Sequence, residues 1–496
     1  MRTEEALSYL RNTDRKVSML SHMIAVLEWD QETAMPLKGA EERGEQIACL
    51  SALIHNEKCS PLIDEAIERL RGEELSFYDR ALLRVWGREA RISGALSESF
   101  VERLALAENS ARVKWAEARE KSDYRIFAPS LAVLVDLEKE MASLIGDGTY
   151  SVLLDLYEEG LDTSALDPLF TDLQMSVHSV MDSIDPSADD GFLYAGYDEK
   201  RLHGFCMDMI DRIGFDRERA SVGVTLHPFT STLGRDDVRI STRYSDASLA
   251  DPVFSIVHEM GHAFYELYSA QNPEIRGTGL SGGLYMGIHE SQSRLWENLI
   301  GRSRAFWEFF YPGLADAVPG LRDISIDEFI RAINRPRSSA IRVNADELTY
   351  SLHIILRYEV EKMMINGSVA IDEIPSLWND LSHQIVRYDV RNDSEGVLQD
   401  SHWAGGSFGY FPSYAIGNIY SVMFYDRMVE DIGGRNAFDS LLSHGSYERI
   451  ISWLRCNIWD YGSAYSPEEL VLKVTGSKID AKPYKEYLLN KFTSLY

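Results

Sequence analysis

The sequence is poor in cysteine and lacks long apolar runs, and both shortages narrow the class of protein. Four cysteines, Cys49, Cys59, Cys206 and Cys456, are scattered along 496 residues without a C-x-x-C pair. This spacing is typical of reduced thiols in a cytoplasmic protein and not of a disulfide framework. No run of about 18 apolar residues occurs, and the N-terminus lacks the apolar core of a signal peptide, so we expect no contact with a membrane.

Basic residues are also scarce. The chain has 50 Lys and Arg against 78 Asp and Glu, which gives a formal net charge of −28. Because phosphate contacts need clustered basic side chains, nucleic acid is excluded as an expected partner. Internal repeats, low-complexity tracts and Pro/Ser-rich linkers are absent from the sequence as well. We therefore expect one domain over residues 1–496, with a helical N-terminal part over about 1–220 and a catalytic part over about 221–496.

Apolar residues recur at helical spacing through most of the chain, which predicts a mainly α fold. The early helical segments are expected at about 3–30, 43–54, 62–71, 77–94 and 96–121. Residues 221–244 differ from this pattern. Segments 221–227 and 238–244 alternate apolar and polar residues, with turn residues between them, so a β-hairpin is predicted there.

The most informative segment is the H-E-x-x-H sequence His258-Glu259-Met260-Gly261-His262. A helix is expected to begin just before it, with Asp251 as N-cap and Pro252 in the first position. Residues four apart lie on one helix face, so the two imidazoles can bind one tetrahedral cation, with Glu259 beside its open position. An exposed chance match is the alternative, but the apolar flanks predict burial, which is unfavourable for imidazoles without a partner.

A site of this type takes its third ligand from a later carboxylate. The candidates are Glu266, Glu274, Glu290 and Glu297. Glu266 lies one turn beyond His262 and is expected to point past the metal. Glu290 is near the start of a helix that follows a glycine-rich segment, residues 277–283, and this segment can bring the chain back towards the histidines. Glu290 is therefore the predicted third ligand.

Five further segments accompany the motif in a fixed order. They are His227-Pro228-Phe229, Asp237-Val238-Arg239-Ile240-Ser241, His289-Glu290-Ser291-Gln292, Ile341-Arg342-Val343-Asn344-Ala345-Asp346 and Gly396-Val397-Leu398-Gln399-Asp400-Ser401-His402-Trp403. Together with the motif they resemble the carboxypeptidase Taq family of thermostable metallocarboxypeptidases, over nearly the whole chain. One departure is visible, since Ser241 replaces the threonine of the family's D-x-R-x-T pattern but keeps the hydroxyl.

The resemblance implies a large helical body with a deep groove, like neurolysin and the angiotensin-converting enzymes, with the small β-hairpin or sheet beside the metal site. It implies one divalent metal, zinc with cobalt often accepted, and commonly a homodimer. The implied activity is the release of single amino acids from peptide C-termini, with broad specificity and poor acceptance of proline.

The chemistry expected of the motif residues follows from this interpretation. His258, His262 and Glu290 would bind the metal, which lowers the pKa of a water molecule and polarises the scissile carbonyl. Glu259 would accept the proton of that water as general base and pass it to the leaving amine.

Substrate contacts are assigned to a second set of residues. His402 and Tyr410 are candidates for stabilising the oxyanion. Tyr410 lies in the aromatic run Phe408-Gly409-Tyr410-Phe411-Pro412-Ser413-Tyr414, which fits the family too, and the resemblance puts both segments at the groove. Arg342 and Arg239 are candidates for the α-carboxylate of the substrate, which a planar guanidinium binds in bidentate fashion. His227 precedes a proline, is biased towards extended backbone, and is expected to present its ring or carbonyl to the substrate.

Two alternative functions remain open. An endo-oligopeptidase or dipeptidyl carboxypeptidase would use the same metal site, and its products would be internal fragments or dipeptides instead of single amino acids. A non-catalytic peptide-binding protein would keep the groove without the chemistry. The intact set of His258, Glu259, His262 and Glu290 argues against this second alternative.

Overall fold

The computed structural model describes residues 1–225, 227–244 and 248–496. Twenty α-helices and three β-strands lie within these ranges, so the predicted mainly α fold class is confirmed. Across the same ranges, none of the helices combines the length and the apolar character that crossing a membrane would require.

Nine helices precede the strands in the described part of the chain. They are α1 (Thr3–Thr33), α2 (Ala40–Lys58), α3 (Pro61–Leu70), α4 (Phe77–Ala95), α5 (Glu98–Lys121), α6 (Ala128–Ile145), α7 (Tyr150–Tyr157), α8 (Thr163–Ser183) and α9 (Glu199–Ile213). The five predicted N-terminal helices correspond to α1–α5. Local periodicity placed them because apolar residues recur at helical spacing in these segments, although none of the side chains of α2 is buried.

The remaining elements are three strands and eleven helices, again counted over the described residues. The strands are β1 (Ala220–Val224), β2 (Thr230–Gly234) and β3 (Asp237–Thr242). The helices are α10 (Ala250–Ser269), α11 (Met286–Arg294), α12 (Arg304–Ala317), α13 (Ile326–Ile333), α14 (Tyr350–Asn366), α15 (Ile374–Leu381), α16 (Pro412–Ile432), α17 (Arg435–Ser443), α18 (Glu448–Asn457), α19 (Pro467–Thr475) and α20 (Lys482–Leu495).

The sheet corrects the predicted hairpin. Its strand order is β1-β3-β2, with β1 parallel to β3 and β2 antiparallel to β3. The two segments that were expected to form the hairpin do pair, with Val222 opposite Ile240, but they run in the same direction. The hairpin partner of β3 is instead β2, whose Thr-Ser-Thr-Leu-Gly sequence lacks the alternation of large apolar residues on which the prediction depended.

Two compact units make up the chain. The first consists of Met1–Ala90, Ala188–Ile333 and Ser421–Lys478, and the second of Arg91–Ser187, Asn334–Tyr420 and Ile479–Tyr496. The sheet, α10 and α11 belong to the first unit, whereas α14 and the segment around Asp400 belong to the second. Each unit is assembled from three separate segments, and the single-domain organisation stays a prediction.

Helix α10 is the central element of the first unit. It begins at Ala250, so Asp251 lies inside the first turn and is not the N-cap that the sequence predicted. Most of its side chains are buried, including Val253, Ile256 and Phe264. Gly261 allows α10 to approach α11 closely, because a Cβ atom at this position would lie 2.6 Å from the carbonyl oxygen of Gln292.

Candidate metal centre

The structure brings His258, His262 and Glu290 together. The Nε2 atoms of the two histidines lie 3.7 Å and 3.4 Å from Oε2 of Glu290. A tetrahedral zinc site with metal–ligand bonds of about 2.0–2.1 Å requires ligand atoms roughly 3.4 Å apart, so the spacing fits a metal ion. Within the described residues, this is the one group of three or more metal-ligating side chains that is close enough to share an ion.

Local structure explains how the three side chains meet. Histidines four residues apart on α10 point in the same direction, as the motif predicted. The glycine-rich segment turns the chain back, and α11 then begins at Met286 and carries Glu290. The close approach at Gly261 brings this carboxylate within reach of both imidazoles. Glu290 is held further by Ser293, whose hydroxyl donates to Oε2 at 3.1 Å, and by Arg294, whose Nε donates to Oε1 at 2.6 Å.

Glu297, which the sequence offered as an alternative ligand, lies behind His258 instead. Its Oε2 lies 2.9 Å from Nδ1 of His258, which leaves Nε2 of that histidine for a metal. Glu297 sits on the π-helical turn Leu295–Ile300 that directly follows α11. Arg294 and Arg302 donate to its two oxygens at 3.2 Å and 2.9 Å.

We call this group the metal cluster. Its members are His258, Glu259, His262, Glu290, Arg294, Glu297 and Arg302. Sequence reasoning missed both arginines, although the spacing of Glu290 and Arg294 by four residues on a helix is a known signal for an ion pair. Arg302 gave no such signal, because it lies beyond the π-helical turn.

Charge pairing sets the protonation of the cluster. Burial acts to raise the pKa of Glu290 and of Glu297, but Arg294 and His258 outweigh it and hold the pKa of both carboxyl groups below the usual range. Burial and the neighbouring His289 lower the pKa of His262 to about 3, so this imidazole is neutral. A neutral imidazole beside an ionised carboxylate is the donor set that a divalent metal needs.

Glu259 lies beside the ligand set and has a partner that the sequence analysis did not identify. The hydroxyl of Thr230, on β2, donates to Oε2 of Glu259 at 2.6 Å and lies 3.1 Å from its carbonyl oxygen. Glu259 is buried, and burial raises its pKa. Thr230 directly follows the His227-Pro228-Phe229 segment, and this position is the signal that could have identified it.

Glu266 does not contact the ligand atoms. Its Oε1 lies 2.9 Å from Nε2 of His289 and accepts a hydrogen bond from the backbone N–H of Gly283 at 2.9 Å. His289 in turn stacks on His262, with ring centroids 4.4 Å apart and an interplanar angle of 25°.

Arg342 lies in the second unit and is buried, with 6% of its surface exposed. It belongs to a short 3₁₀ turn, Arg342–Asn344. Nε and Nη2 both donate to Oδ1 of Asp400, at 3.0 Å and 2.9 Å, and Nη1 donates to the hydroxyl of Tyr350 at 3.1 Å. Arg357 donates to Oδ2 of the same Asp400 at 2.7 Å and 2.5 Å.

We call Arg342, Arg357 and Asp400 the arginine cluster. Burial acts to raise the pKa of Asp400, but the two guanidinium groups hold it well below the usual range. Sequence reasoning missed Asp400 and Arg357 as site residues. Asp400 stands within a segment that carries the resemblance, whereas Arg357 lies in a nearly continuous apolar stretch of α14 that gives no signal.

His402 and Tyr410 are neighbours in the second unit. Their rings stack with centroids 5.6 Å apart, and Nε2 of His402 lies 3.3 Å from the hydroxyl of Tyr414. Nδ1 of His402 lies 4.0 Å from Oδ1 of Asp400, so both candidates adjoin the arginine cluster. His353, on α14, is 1% exposed, and burial lowers its pKa to about 3.

Arg239 and His227 are the other two candidates for substrate contacts, and both belong to the first unit. Arg239 lies on β3 and donates from Nε and Nη2 to the carboxylate of Asp237 at 2.9 Å and 2.8 Å. Its guanidinium also lies over the ring of Trp29. His227 is exposed, and its carbonyl accepts a hydrogen bond from the hydroxyl of Thr225 at 2.7 Å. Leu226, within the segment expected to form the first strand, lies outside the described residues.

A mainly helical chain with an H-E-x-x-H helix and a glutamate from the next helix has the architecture of a metallopeptidase. The comparisons with known proteins agree. A family model described as Carboxypeptidase Taq (M32) metallopeptidase matches residues 9–492, and the chain belongs to this family. It is therefore a metallocarboxypeptidase, a peptide hydrolase of a family that uses a divalent metal.

Relatives resemble the chain over its full length. Carboxypeptidase 1 of Bacillus subtilis is 36% identical over 492 residues, 97% of each chain. Thermostable carboxypeptidase 1 of Thermus thermophilus is 35% identical over 514 aligned positions, 100% of each chain. A solved structure of a Pyrococcus furiosus carboxypeptidase has a TM-score of 0.93 at 34% identity and covers 99% of this chain and 98% of that chain.

Proposed function

We propose that this metallocarboxypeptidase is a zinc enzyme that releases single amino acids from peptide C-termini, with broad specificity and poor acceptance of proline. One observation carries the proposal: two imidazole nitrogens and one carboxylate oxygen lie at the spacing of a tetrahedral metal site, next to a buried glutamate. The relatives that are named carboxypeptidases over the full length of the chain support the exopeptidase activity.

The donor set favours zinc. Two histidines and one carboxylate are a common catalytic zinc set, and cobalt accepts the same ligands and geometry. When bound, the metal would lower the pKa of a water molecule and polarise the scissile carbonyl. Glu297 fixes the tautomer of His258, and Arg294 orients Glu290, so both ligands are held in place before a metal binds.

Glu259 is the proposed general base. Thr230 bonds to its Oε2, which leaves Oε1 to accept a proton from the attacking water and to pass it to the leaving amine. The raised pKa that burial gives Glu259 makes it a better proton acceptor than an exposed glutamate.

The arginine cluster is the proposed binding site for the substrate α-carboxylate. The contacts of Arg342 use three of its five N–H groups, which leaves one on each terminal nitrogen for a bidentate partner. Two guanidinium groups share one carboxylate, so the cluster carries a net positive charge. His402 and Tyr410 adjoin it and are the proposed contacts to the oxyanion. Arg239 is the alternative anchor for the carboxylate.

His227 and the assembly complete the proposal. His227 is exposed next to β2 and is proposed to contact the substrate through its ring. A homodimer is proposed on the family resemblance, and light scattering on the purified protein tests it. A cytoplasmic location is proposed because all four cysteines are free, as expected in a reducing compartment.

Product analysis tests the exopeptidase proposal. The zinc-loaded protein is incubated with a set of peptides of different lengths, and the products are identified by mass. Single amino acids released stepwise from the C-terminus are expected. Dipeptides or internal fragments would assign the site to a dipeptidyl carboxypeptidase or an endo-oligopeptidase instead. The Glu259→Gln variant, purified in the same way, controls for a contaminating peptidase.

A further inference from the structure

The two histidines of the metal cluster are held in different ways. His258 is within hydrogen-bond distance of Glu297 through Nδ1, at 2.9 Å, which is the usual way for a protein to fix the ring and tautomer of a metal ligand. Nδ1 of His262 is buried and has no hydrogen-bond partner among the described residues. Some other contact must therefore set the orientation of the His262 ring.

The face of His289 offers such a contact. The two rings are nearly parallel, with centroids 4.4 Å apart and an interplanar angle of 25°. His289 is itself held, because its Nε2 lies 2.9 Å from Oε1 of Glu266. The same oxygen accepts the backbone N–H of Gly283 at 2.9 Å, so the glycine-rich segment fixes the carboxylate.

The packing around these groups leaves little freedom. A Cβ atom at Gly283 would lie 1.9 Å from Cδ2 of His289, and one at Gly282 would lie 2.7 Å from Oε2 of Glu266. The ring of Tyr265 also contacts His289, at a centroid distance of 5.7 Å. His289 is therefore held by a hydrogen bond to Glu266 and by close packing against Gly283 and Tyr265.

We propose that His289 and Glu266 are positioning residues that hold the His262 ring for metal binding, the counterpart of Glu297 behind His258. This inference rests on the proposed ligand set. Neither residue touches the metal: Glu266 fixes His289 through a hydrogen bond, and His289 fixes His262 through its ring face. Loss of either one is expected to weaken zinc affinity by about 10- to 100-fold, the usual range for residues that support a metal ligand.

The experiment measures the apparent Kd for Zn²⁺ by competition with a chelator. The variants are Glu266→Leu, His289→Leu and the double variant, each compared with wild type. Because both residues act through one chain of contacts, the double variant should lose no more affinity than the weaker-binding single variant. The visible spectrum of Co²⁺-loaded protein should change in the same variants, because it reports the ligand geometry.

Glu266→Gln is the rescue variant. The hydrogen bonds that link Glu266 to His289 and to Gly283 reach the same oxygen, Oε1, so a glutamine can accept both of them. It should therefore keep nearly wild-type zinc affinity and the wild-type Co²⁺ spectrum. Tyr265→Phe is the matched control: it removes a buried hydrogen bond from α10 to the carbonyl of Gly462 but keeps the ring against His289. Its zinc affinity should be unchanged.

Three results would overturn the inference. Zinc affinity retained by Glu266→Leu and His289→Leu would show that His262 needs no support. If the fold losses in zinc affinity of the two single variants multiply in the double variant, Glu266 and His289 act independently and not through one series of contacts. If Glu266→Gln loses as much zinc affinity as Glu266→Leu, the charge of the Glu266 carboxylate and not its hydrogen bonds supports zinc binding. His262→Ala is measured in parallel and distinguishes a failure of the positioning proposal from a failure of the ligand set. Zinc affinity retained by that variant would refute the proposed ligand set itself.

Discussion

The metal cluster and the arginine cluster both combine carboxylates with guanidinium groups, but in opposite proportion. In the metal cluster Glu290 and Glu297 pair with two guanidinium groups, whereas Glu259 bonds to Thr230, so carboxylates outnumber guanidinium groups. In the arginine cluster two guanidinium groups share the single carboxylate of Asp400, and the excess is positive.

This difference fits the ligands that are proposed for the two clusters. Buried charges are costly unless they are paired, so an excess of one sign is retained where a partner of the opposite sign is expected. The proposed occupant of the metal cluster is a divalent cation, whose positive charge would offset the excess of carboxylates. The proposed partner of the arginine cluster is the α-carboxylate of the substrate, whose negative charge would offset the excess of guanidinium groups.

The largest effect is expected from removing one carboxylate of the metal cluster without touching a ligand. Glu259→Gln should keep zinc and lose about 10²- to 10⁴-fold in kcat, because the amide cannot accept a proton from water. Zinc content and hydrolysis of a blocked dipeptide are measured on the same preparation. If the variant retains more than about a tenth of wild-type kcat, well outside the range for a lost general base, another group is the base.

The next largest effect concerns the arginine cluster. Arg342→Ala should lose about 30- to 1000-fold in kcat/KM on peptides with a free C-terminus, the equivalent of about 2–4 kcal/mol for a charge-assisted bidentate contact. On C-terminally amidated peptides, the kcat/KM of Arg342→Ala should be no lower than that of wild type. Arg342→Lys should restore the activity only in part, because an ammonium lacks the planar fork.

The matched control for Arg342 is Arg239→Ala. Arg239 also pairs with a carboxylate through Nε and Nη2, but its single partner Asp237 leaves no excess of positive charge. The preference for acid over amide should therefore persist in this variant. If Arg239→Ala loses the preference for a free C-terminus over an amidated one and Arg342→Ala retains it, Arg239 on β3 is the residue that binds the α-carboxylate.

A smaller effect is expected from the residue behind His258. Glu297→Ala should weaken zinc affinity by about 10- to 100-fold, because His258 loses its hydrogen-bond acceptor and the two arginines lose a partner. Chelator competition measures the affinity. The comparison is with Glu290→Ala, which removes a proposed ligand and should lose more. Equal losses in the two variants would leave Glu297 as an alternative ligand.

Sequence reasoning reached the parts of the site that depend on local spacing. The helix of the motif, the shared face of His258 and His262, and the return of the chain to Glu290 all follow from short-range geometry. Glu297 behind His258 depends on a π-helical turn, which changes the direction of side chains relative to an α-helix. Such a turn has no counterpart in the apolar periodicity of the sequence.

Most of the contacts that were missed join distant segments. Arg357 and Asp400 are separated by 43 residues, and Thr230 and Glu259 by 29 residues. The strand that carries Thr230 is short and polar, and Arg357 lies among apolar residues of α14. These contacts become visible only when packing has brought the partners together.

The smallest effect is expected at Thr230, which distinguishes positioning of the base from its chemistry. Thr230→Val removes the hydroxyl that bonds to Oε2 of Glu259 at 2.6 Å but preserves the shape of the side chain. We expect kcat to fall roughly 3- to 10-fold, the equivalent of about 1 kcal/mol for one hydrogen bond, with KM and zinc affinity unchanged. Thr230→Ser should retain wild-type kcat because it keeps the hydroxyl. Thr242→Val is the control, since that buried hydroxyl contacts Pro252 and Ser255 and not Glu259. A wild-type kcat in Thr230→Val would mean that burial alone orients Glu259. The carboxylate of Glu259 would then need no hydrogen bond from β2.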